Sequence, residues 1–327
     1  DTTMTHTWTD SYPYNADSTF ALHPMYLRLQ ELGTLNDPER QAYYDNLGKE
    51  LNELKEIDYE RVNQGKIAFT REIFAQEGDK VVASKEFNDF VSRNADWLTP
   101  YAAFCVLRDK FQTPDFMNWN EYANYDEKKV AKFVKEHKNE INYVYYIQYN
   151  LDKQMRHVRD YAHSKGVAIK GDIPIGISRT SVDAWISPRL FNMDCQAGAP
   201  PDPFSKTGQN WGFPTYNWEA MERDGYAWWK KRFQKMATYF QVYRIDHVLG
   251  FFRIWRMNIG DVQGLLGYFD PALPFTEDEI RSFGTWFEYH RMVHPYIREH
   301  MLYDKFGDNA PEIISRYLEL VTAGTYR

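Results

Sequence analysis

Tyr243-Arg244-Ile245-Asp246-His247 closes a run of apolar residues with an arginine, an aspartate and a histidine in five positions. At the carboxyl end of a barrel strand such side chains face the open mouth, where barrel enzymes keep their chemistry. Asp172, in Lys170-Gly171-Asp172-Ile173-Pro174-Ile175-Gly176, ends a second apolar run in the same way. An ionised Asp246 suits nucleophilic attack on the anomeric carbon of a sugar, the first step of retaining glycosyl transfer. Arg244, two residues earlier on the same strand face, would lower the Asp246 pKa. His247 would donate a hydrogen bond to a sugar hydroxyl. Asp172 could bind a sugar hydroxyl or hold the neighbours of Asp246. The same residues also read as a structural Arg/Asp pair at a strand end, and Asp172 as a cap on the turn before Pro174.

Gly198-Ala199-Pro200-Pro201-Asp202-Pro203-Phe204-Ser205-Lys206-Thr207-Gly208-Gln209-Asn210-Trp211-Gly212 mixes glycines, prolines, acid and amide groups and a tryptophan. A loop of this length in a compact domain is more often functional than inert. It could lie over an acceptor sugar and exclude water. His290 and His294 stand four apart on a helical pattern, as metal ligands can. No third ligand accompanies them and Glu288 is misplaced for a zinc protease, so no metal site is assigned.

The elements that must hold these residues alternate. Asn36-Asp37-Pro38 opens a helix with the stripe Tyr44, Leu47, Leu51 and Leu54. Helical patterns follow at about 59–76 and 84–93, and Thr99-Pro100 starts another. Residues 36–138 therefore read as a mainly helical elaboration. Val144, Ile147, Leu151, Met155, Val158 and Ala162 recur at steps of three and four, the mark of a core-facing helix ended by Gly166. Val167-Ala168-Ile169 then reads as a short strand ending at Asp172. Asn217 caps a helical stretch to Phe240, with Gly225 placed to break it in two. Gln241–Ile245 reads as a strand ending at Asp246, and Phe251–Trp255 is a further apolar run. Helix, strand, loop, helix, strand is the alternation of a parallel sheet, and long loops after the strand ends favour a (β/α) barrel. Thr276-Glu277-Asp278-Glu279 is a capping box before more helix, to about Leu320.

The 327 residues suffice for a large core, and aromatics make up 17% of them, rings that serve either a core or sugar stacking. A net charge of -7 argues against a nucleic-acid surface, and no apolar run is long enough for a membrane span. Two cysteines far apart, Cys105 and Cys195, suggest a reduced, cytoplasmic setting. No dinucleotide or phosphate-loop motif is present. Both ends read as cut, and the chain is expected to be a segment of a longer protein.

The chain closely resembles the amylomaltases, the 4-α-glucanotransferases of glycoside hydrolase family 77. The resemblance is carried by Gly171-Asp172-Ile173-Pro174-Ile175-Gly176, Ser181-Val182-Asp183-Ala184-Trp185, Pro200-Pro201-Asp202-Pro203-Phe204-Ser205, Gly208-Gln209-Asn210-Trp211-Gly212 and Arg244-Ile245-Asp246-His247. Ser11-Tyr12-Pro13-Tyr14, Phe20-Ala21-Leu22-His23-Pro24 and Leu98-Thr99-Pro100-Tyr101-Ala102-Ala103-Phe104 extend it over most of the chain. They favour the branch that includes the plant cytosolic disproportionating enzymes, which carry an insertion after the nucleophile.

This resemblance implies an α/β fold, an incomplete (β/α)8 TIM barrel with helical subdomain insertions. It implies residues 1–256 as part of the catalytic domain and 257–327 as the start of a helical insertion, cut short. It implies retaining transfer of an α-1,4-linked glucosyl unit between maltose, maltodextrins and a glycogen- or starch-like glucan, without a cofactor. Asp246 falls on the nucleophile. Arg244, His247, Asp172 and Tyr14 fall on sugar-contacting positions, and Asp202, Gln209, Asn210 and Trp211 on the acceptor loop. The family's general acid, a glutamate, and its later stabilising aspartate have no counterpart in this chain. The segment alone is therefore expected to be inactive and marginally folded. A hydrolase of the α-amylase superfamily and a non-catalytic glucan-binding protein are the competing readings.

Overall fold

The computed structural model describes Thr2–Thr3, residues 14–293 and residues 296–327. By its contacts the chain divides into two compact units, Asp1–Pro271 and Ala272–Arg327.

The first unit opens with strand β1 (Thr2–Thr3) paired to β2 (Ala16–Ser18). Helix α1 (Pro38–Asn52) follows, its Asp37 cap accepting the Glu39 and Arg40 amides and its proline at the first turn. Helices α2 (Tyr59–Val82) and α3 (Lys85–Phe111) are capped by Asp58 and Ser84. Thr99-Pro100 does not begin a separate helix: α3 runs straight through Pro100. An internal proline costs a helix about 3 kcal/mol. Leu98, Tyr101, Ala102, Ala103, Phe104 and Leu107, buried on both sides of Pro100, more than offset that.

Helices α4 (Glu127–Glu136) and α5 (Lys138–Ser164) complete the mainly helical region. The α5 stripe is buried at Ile147 and Leu151, but Val158 is 50% exposed, so the core-facing reading fails at the carboxyl half. The amino-terminal half packs against α2 and α3 and buries Ile141, Tyr145 and Tyr146 too.

After α5 comes β3 (Lys170–Ile173), paired in parallel with a later strand, Val242–Ile245. The strand lies downstream of Val167-Ala168-Ile169, so Asp172 stands inside it rather than past its end. Gly171 lets this strand pack closely against its neighbours. A Cβ there would lie 2.7 Å from the Phe240 ring and 2.9 Å from Met236, so only glycine lets the strand press this close.

Helix α6 (Val182–Ile186) and strands β4 (Phe191–Asn192), β5 (Cys195–Ala199), β6 (Gln209–Asn210) and β7 (Thr215–Tyr216) occupy the stretch between the paired strands. Helices α7 (Trp218–Arg223) and α8 (Ala227–Ala237) are split at Gly225 and Tyr226, both with positive φ. Strand β8 (Val242–Ile245) then pairs with β3. The run at 251–255 becomes a short 3-10 turn, Val248–Phe251, and then β9 (Ile254–Asn258). With β10 (Tyr268–Asp270) this gives an antiparallel sheet of order β10-β9-β5-β6. The first unit thus includes the β9–β10 pair.

Two aromatic clusters hold this unit. Trp119, Trp185 and Phe104 meet with ring centroids 5.0–6.0 Å apart, and Trp185 Nε1 donates to the Tyr122 carbonyl. Tyr216, Trp218, Trp228, Trp229 and Phe251 form the second, beneath the turn that follows β8.

The second unit holds α9 (Glu277–Ser282) with its Thr276/Glu279 capping box, α10 (Tyr289–Val293), α11 (Glu299–Phe306) and α12 (Ala310–Tyr317). It also holds a sheet of β11 (Ile297–Arg298), β12 (Leu320–Thr322) and β13 (Thr325–Tyr326), in the order β11-β13-β12, of which β11 falls inside the stretch read as helix. Two- and three-residue strands carry too little alternation to stand out from sequence.

Asp183 ties the amino-terminal strand to this frame. Its buried carboxylate accepts the Thr19 amide (2.9 Å), the Thr19 hydroxyl (2.8 Å) and Trp228 Nε1 (2.9 Å). Asp183→Ala strands three buried donors, so the expected loss is about 3 kcal/mol of unfolding free energy. Urea denaturation measures it; a loss below about 1 kcal/mol would show that the donors find other partners.

Candidate active site

The parallel pairing sets Asp172 directly opposite Arg244. From there the arginine reaches across as a fork: Nε to Oδ1 at 2.9 Å and Nη2 to Oδ2 at 2.7 Å. Tyr14 joins them, its hydroxyl donating to Asp172 Oδ2 at 3.0 Å and accepting from Arg244 Nη2 at 2.8 Å. The hydrogen bond to Asp172 pushes the Tyr14 hydroxyl pKa up, and that carboxylate does the same for Arg244. Tyr14, Asp172 and Arg244 are thus locked to one another although they are far apart in the chain.

Asp246 stands one step beyond β8. Its amide donates to the Ile173 carbonyl, which continues the ladder, and its side chain is 41% exposed. The arginine stands beside it, as the spacing suggests, but divides its contacts. The fork is taken by Asp172, and Arg244 Nη2 comes only to 3.5 Å from Asp246 Oδ1. The carboxylate is therefore the outer partner of the same guanidinium, in a longer ion pair, and stays open to solvent.

Asp246 opens into a cleft of about 280 Å³ lined by Tyr14, Pro174, Ile175, Gly176, Trp211, Phe213, Asp246 and His247. Cavity size alone does not single it out, for a hollow of about 610 Å³ lies between α1, α2 and residues 26–33. That larger hollow has no strand end at its wall, and its one carboxylate is Asp45. His247 adopts φ +50, which turns it from the strand line. Its ring meets Trp211 edge-on at 4.9 Å, and Trp211 stacks on Phe213 at 5.7 Å.

The acceptor-loop residues separate. Trp211 reaches the cleft; Asp202, Gln209 and Asn210 do not line it. Asp202 Oδ1 accepts the Phe204 and Ser205 amides and so closes a turn. Gln209 Oε1 accepts Trp211 Nε1 at 3.0 Å. Asn210 accepts the Gly212 amide and donates to the Asp261 carbonyl at 2.9 Å. Their side chains shape the loop that carries Trp211.

Four wall residues, Pro174, Ile175, Gly176 and Phe213, were not singled out as site residues from the sequence. Phe213 and Ile175 are apolar and carry no chemical signature. Gly176 is required because a Cβ there would lie 2.3 Å from the Phe213 ring. Arg232, buried among Trp228 and Trp229, donates from Nη2 to the Pro174 carbonyl at 3.2 Å and steadies the wall from behind. His294 lies outside the described residues, as does the side chain of His290. Among the described residues no group of three or more His, Cys, Asp or Glu side chains could hold a metal ion. Among them also, no helix is long and apolar enough to cross a membrane.

The sequence profile of glycoside hydrolase family 77, described as 4-alpha-glucanotransferase, matches residues 2–303. The chain belongs to this family. It is 46% identical over 321 residues to the 4-alpha-glucanotransferase DPE2 of Oryza sativa subsp. japonica, covering 97% of this chain and 34% of that protein. It is 34% identical over 271 residues to the 4-alpha-glucanotransferase of Chlamydia muridarum, covering 81% of this chain and 49% of that protein. The chain thus spans about a third of the rice relative and about half of the chlamydial one. In fold it is similar to the amylomaltase from Streptococcus agalactiae, solved in complex with acarbose. The TM-score is 0.69 at 23% identity, over 94% of this chain and 67% of that one.

Burial lowers the His247 pKa, and the Asp246 charge pulls it the other way. A lowered folded-state value means that the unfolded chain binds the proton first. The His247 contribution to stability is therefore intact above the ordinary imidazole range and is lost as pH falls through it. Titration followed by imidazole NMR is expected to place its midpoint below that of an ordinary histidine. A midpoint at or above the ordinary value would mean that the Asp246 charge dominates.

Proposed function

We propose that this chain carries the nucleophile of a retaining 4-α-glucanotransferase. The carrying observation is Asp246, at the open end of β8, bare to a cleft whose rim holds Trp211 and His247. In the first half-reaction an Asp246 oxygen attacks C1 of an α-1,4-linked glucosyl unit. The C1–O bond breaks, the leaving O4 takes a proton from a general acid, and a covalent glycosyl-enzyme forms. In the second half the O4 hydroxyl of an acceptor attacks C1, the ester to Asp246 breaks, and the hydroxyl proton goes to a base. Two inversions return the α configuration. The substrates are maltose, maltodextrins and glycogen- or starch-like glucans. No cofactor is called for, because the acetal supplies its own leaving group.

The roles follow from position. Arg244, Asp172 and Tyr14 form a rigid polar floor that orients the donor ring and holds Asp246 in line with C1. His247 offers a neutral imidazole to a sugar hydroxyl. Trp211 and Phe213 give apolar faces for stacking.

In architecture we read the first unit as part of an incomplete (β/α)8 barrel with helical insertions. The α5–β3 and α8–β8 successions support this, as does a β3–β8 pair bonded in parallel only to each other among the described residues. Residues 1–256 would then belong to the catalytic domain, and 257–327 to an insertion after the nucleophile. The free thiols of Cys105 and Cys195 suit a cytoplasmic setting.

Asp246 is the single carboxylate on the described cleft wall. No second carboxyl group stands on that wall to serve as general acid for an unactivated glucan, and this chain is expected to be slow on maltose or maltotriose. That same feature favours the glucan-binding reading, and an activated donor decides between them. Fluoride leaves from α-maltosyl fluoride with its electron pair and needs no proton. Asp246 is then expected to form the C1 ester unaided, seen by intact mass spectrometry as one added maltosyl group, and Asp246→Asn to form none. Tight binding of maltotriose with no adduct in the wild-type chain would establish a binding protein instead. Adduct that decays to free maltose as fast with a maltose acceptor as without one would establish a hydrolase.

A further inference from the structure

Trp211 shares the cleft wall with Asp246 and packs there on His247 and Phe213, but the backbone that carries it is held from outside the cleft. Its loop returns to the sheet as β6, whose Asn210 and Gln209 pair with Gly198 and Ala199 of β5. The other side of β6 rests on the turn 258–264, a segment that begins only after the catalytic strand. Gln196, buried in β5, donates from Nε2 to three carbonyls of that turn: Asn258 at 3.0 Å, Ile259 at 3.3 Å and Asp261 at 2.7 Å. Asp261 Oδ2 accepts the Asn258 amide at 2.9 Å and closes the turn on itself. Asn210, next to Trp211, reaches the Asp261 carbonyl, and Trp255 Nε1 holds the Gly264 carbonyl at 2.7 Å.

The contact leaves no slack. A Cβ on Gly264 would lie 2.6 Å from Gln209 N and 2.7 Å from the Ala199 carbonyl, both backbone atoms that cannot turn aside. A Cβ on Gly208, at φ +68, would lie 3.0 Å from Gly264 Cα. Two glycines thus let two backbones touch at the root of the loop. The loop tip is anchored otherwise, with Phe204 97% exposed beyond the Asp202 turn.

We infer that the turn 258–264 is a clamp that sets the height of Trp211 over Asp246, and thereby decides whether a sugar hydroxyl or water resolves the glycosyl-enzyme. Asn210, Gln196, Asp261 and Gly264 are positioning residues in this view; none touches substrate. The physical basis is distance. A tryptophan held against His247 leaves room for a flat pyranose edge and keeps bulk water out, whereas a raised one admits water. The resolving step is balanced either way: the attacking O–C1 bond forms, the Asp246 ester bond breaks, and the proton of the hydroxyl or water passes to buffer base. The second half of the inference rests on glycosyl transfer at Asp246; the clamp itself does not.

Two measurements keep those halves apart. Hydrogen exchange over 209–212 reads the clamp without any chemistry. Gly264→Ala, which forces the backbones apart, and Asp261→Ala, which opens the turn from its surface side, are each expected to speed exchange there roughly tenfold. The decay of the maltosyl adduct, with and without maltose, reads the consequence. The wild-type adduct should be resolved mainly by maltose, and both variants should shift toward water by about tenfold, with adduct formation little changed. Should Gly264→Ala fail to fold, Asp261→Ala carries both tests. Unchanged exchange in the folded variants overturns the clamp. Faster exchange with an unchanged split between maltose and water overturns its control of the acceptor. If the wild-type chain forms no adduct, the transfer reading fails, and with it the control of the acceptor, while exchange alone still decides the clamp.

Discussion

Everything in the first unit that bears on chemistry is arranged around the fork that Arg244 makes to Asp172. It is possible because two four-residue strands run parallel in one register, so that opposite residues project to the same side. The guanidinium plane matches the carboxylate in two hydrogen bonds, which specifies direction as well as attraction. Both groups are about half open to solvent, so the pair adds little to stability. Its work is geometric. By engaging the arginine elsewhere it leaves Asp246 as a carboxylate with a neighbouring charge and open access, the state a nucleophile requires.

The frame behind the fork is apolar and aromatic, with a few buried polar ties at chosen places. Asp183 holds Thr19, which fixes the segment that delivers Tyr14 to Asp172. Arg232 holds the Pro174 carbonyl, which fixes the wall beside Asp172. The tryptophans on α8 pack around Arg232 and under the turn after β8. Long-range order at the mouth thus comes from side chains that no substrate would meet. On the opposite side the Trp211 loop is rooted in a sheet that combines residues from before and after β8. The two walls of the cleft are held by separate devices.

Much of this could be read from the residues alone. Asp37, Ser84, Asn217 and Thr276 announce helix starts, and each caps one. The family emerged from contiguous motifs around Asp172, Trp211 and Asp246, and the comparisons bear it out. Where the reading missed, the cause was tertiary. Pro100 stays inside a helix because the flanking residues are buried. Strand β3 starts later than its apolar run, and Val167 is left 54% exposed, a difference in packing that residue type alone does not show. Arg244 does lie beside Asp246, as the two-residue spacing suggests, but its shorter, two-pronged contact is to Asp172, and that geometry depends on a strand register that spacing along one strand does not show. The family resemblance placed Asp202, Gln209 and Asn210 on the acceptor loop; their polar groups bond within that loop and, from Asn210, to the Asp261 carbonyl, contacts set by the fold rather than by residue type.

The most direct measurement exchanges the fork for a point charge. Arg244→Lys keeps a cation beside Asp172 but cannot make two parallel hydrogen bonds or hold Tyr14 as well. Fluoride release from α-maltosyl fluoride is followed beside the thermal midpoint of each protein. The account predicts a loss in rate of about tenfold or more, with the midpoint nearly unmoved, because an exposed pair positions without stabilising. A lysine variant that releases fluoride at the wild-type rate would contradict it, since Asp246 would then act without the geometry attributed to the fork.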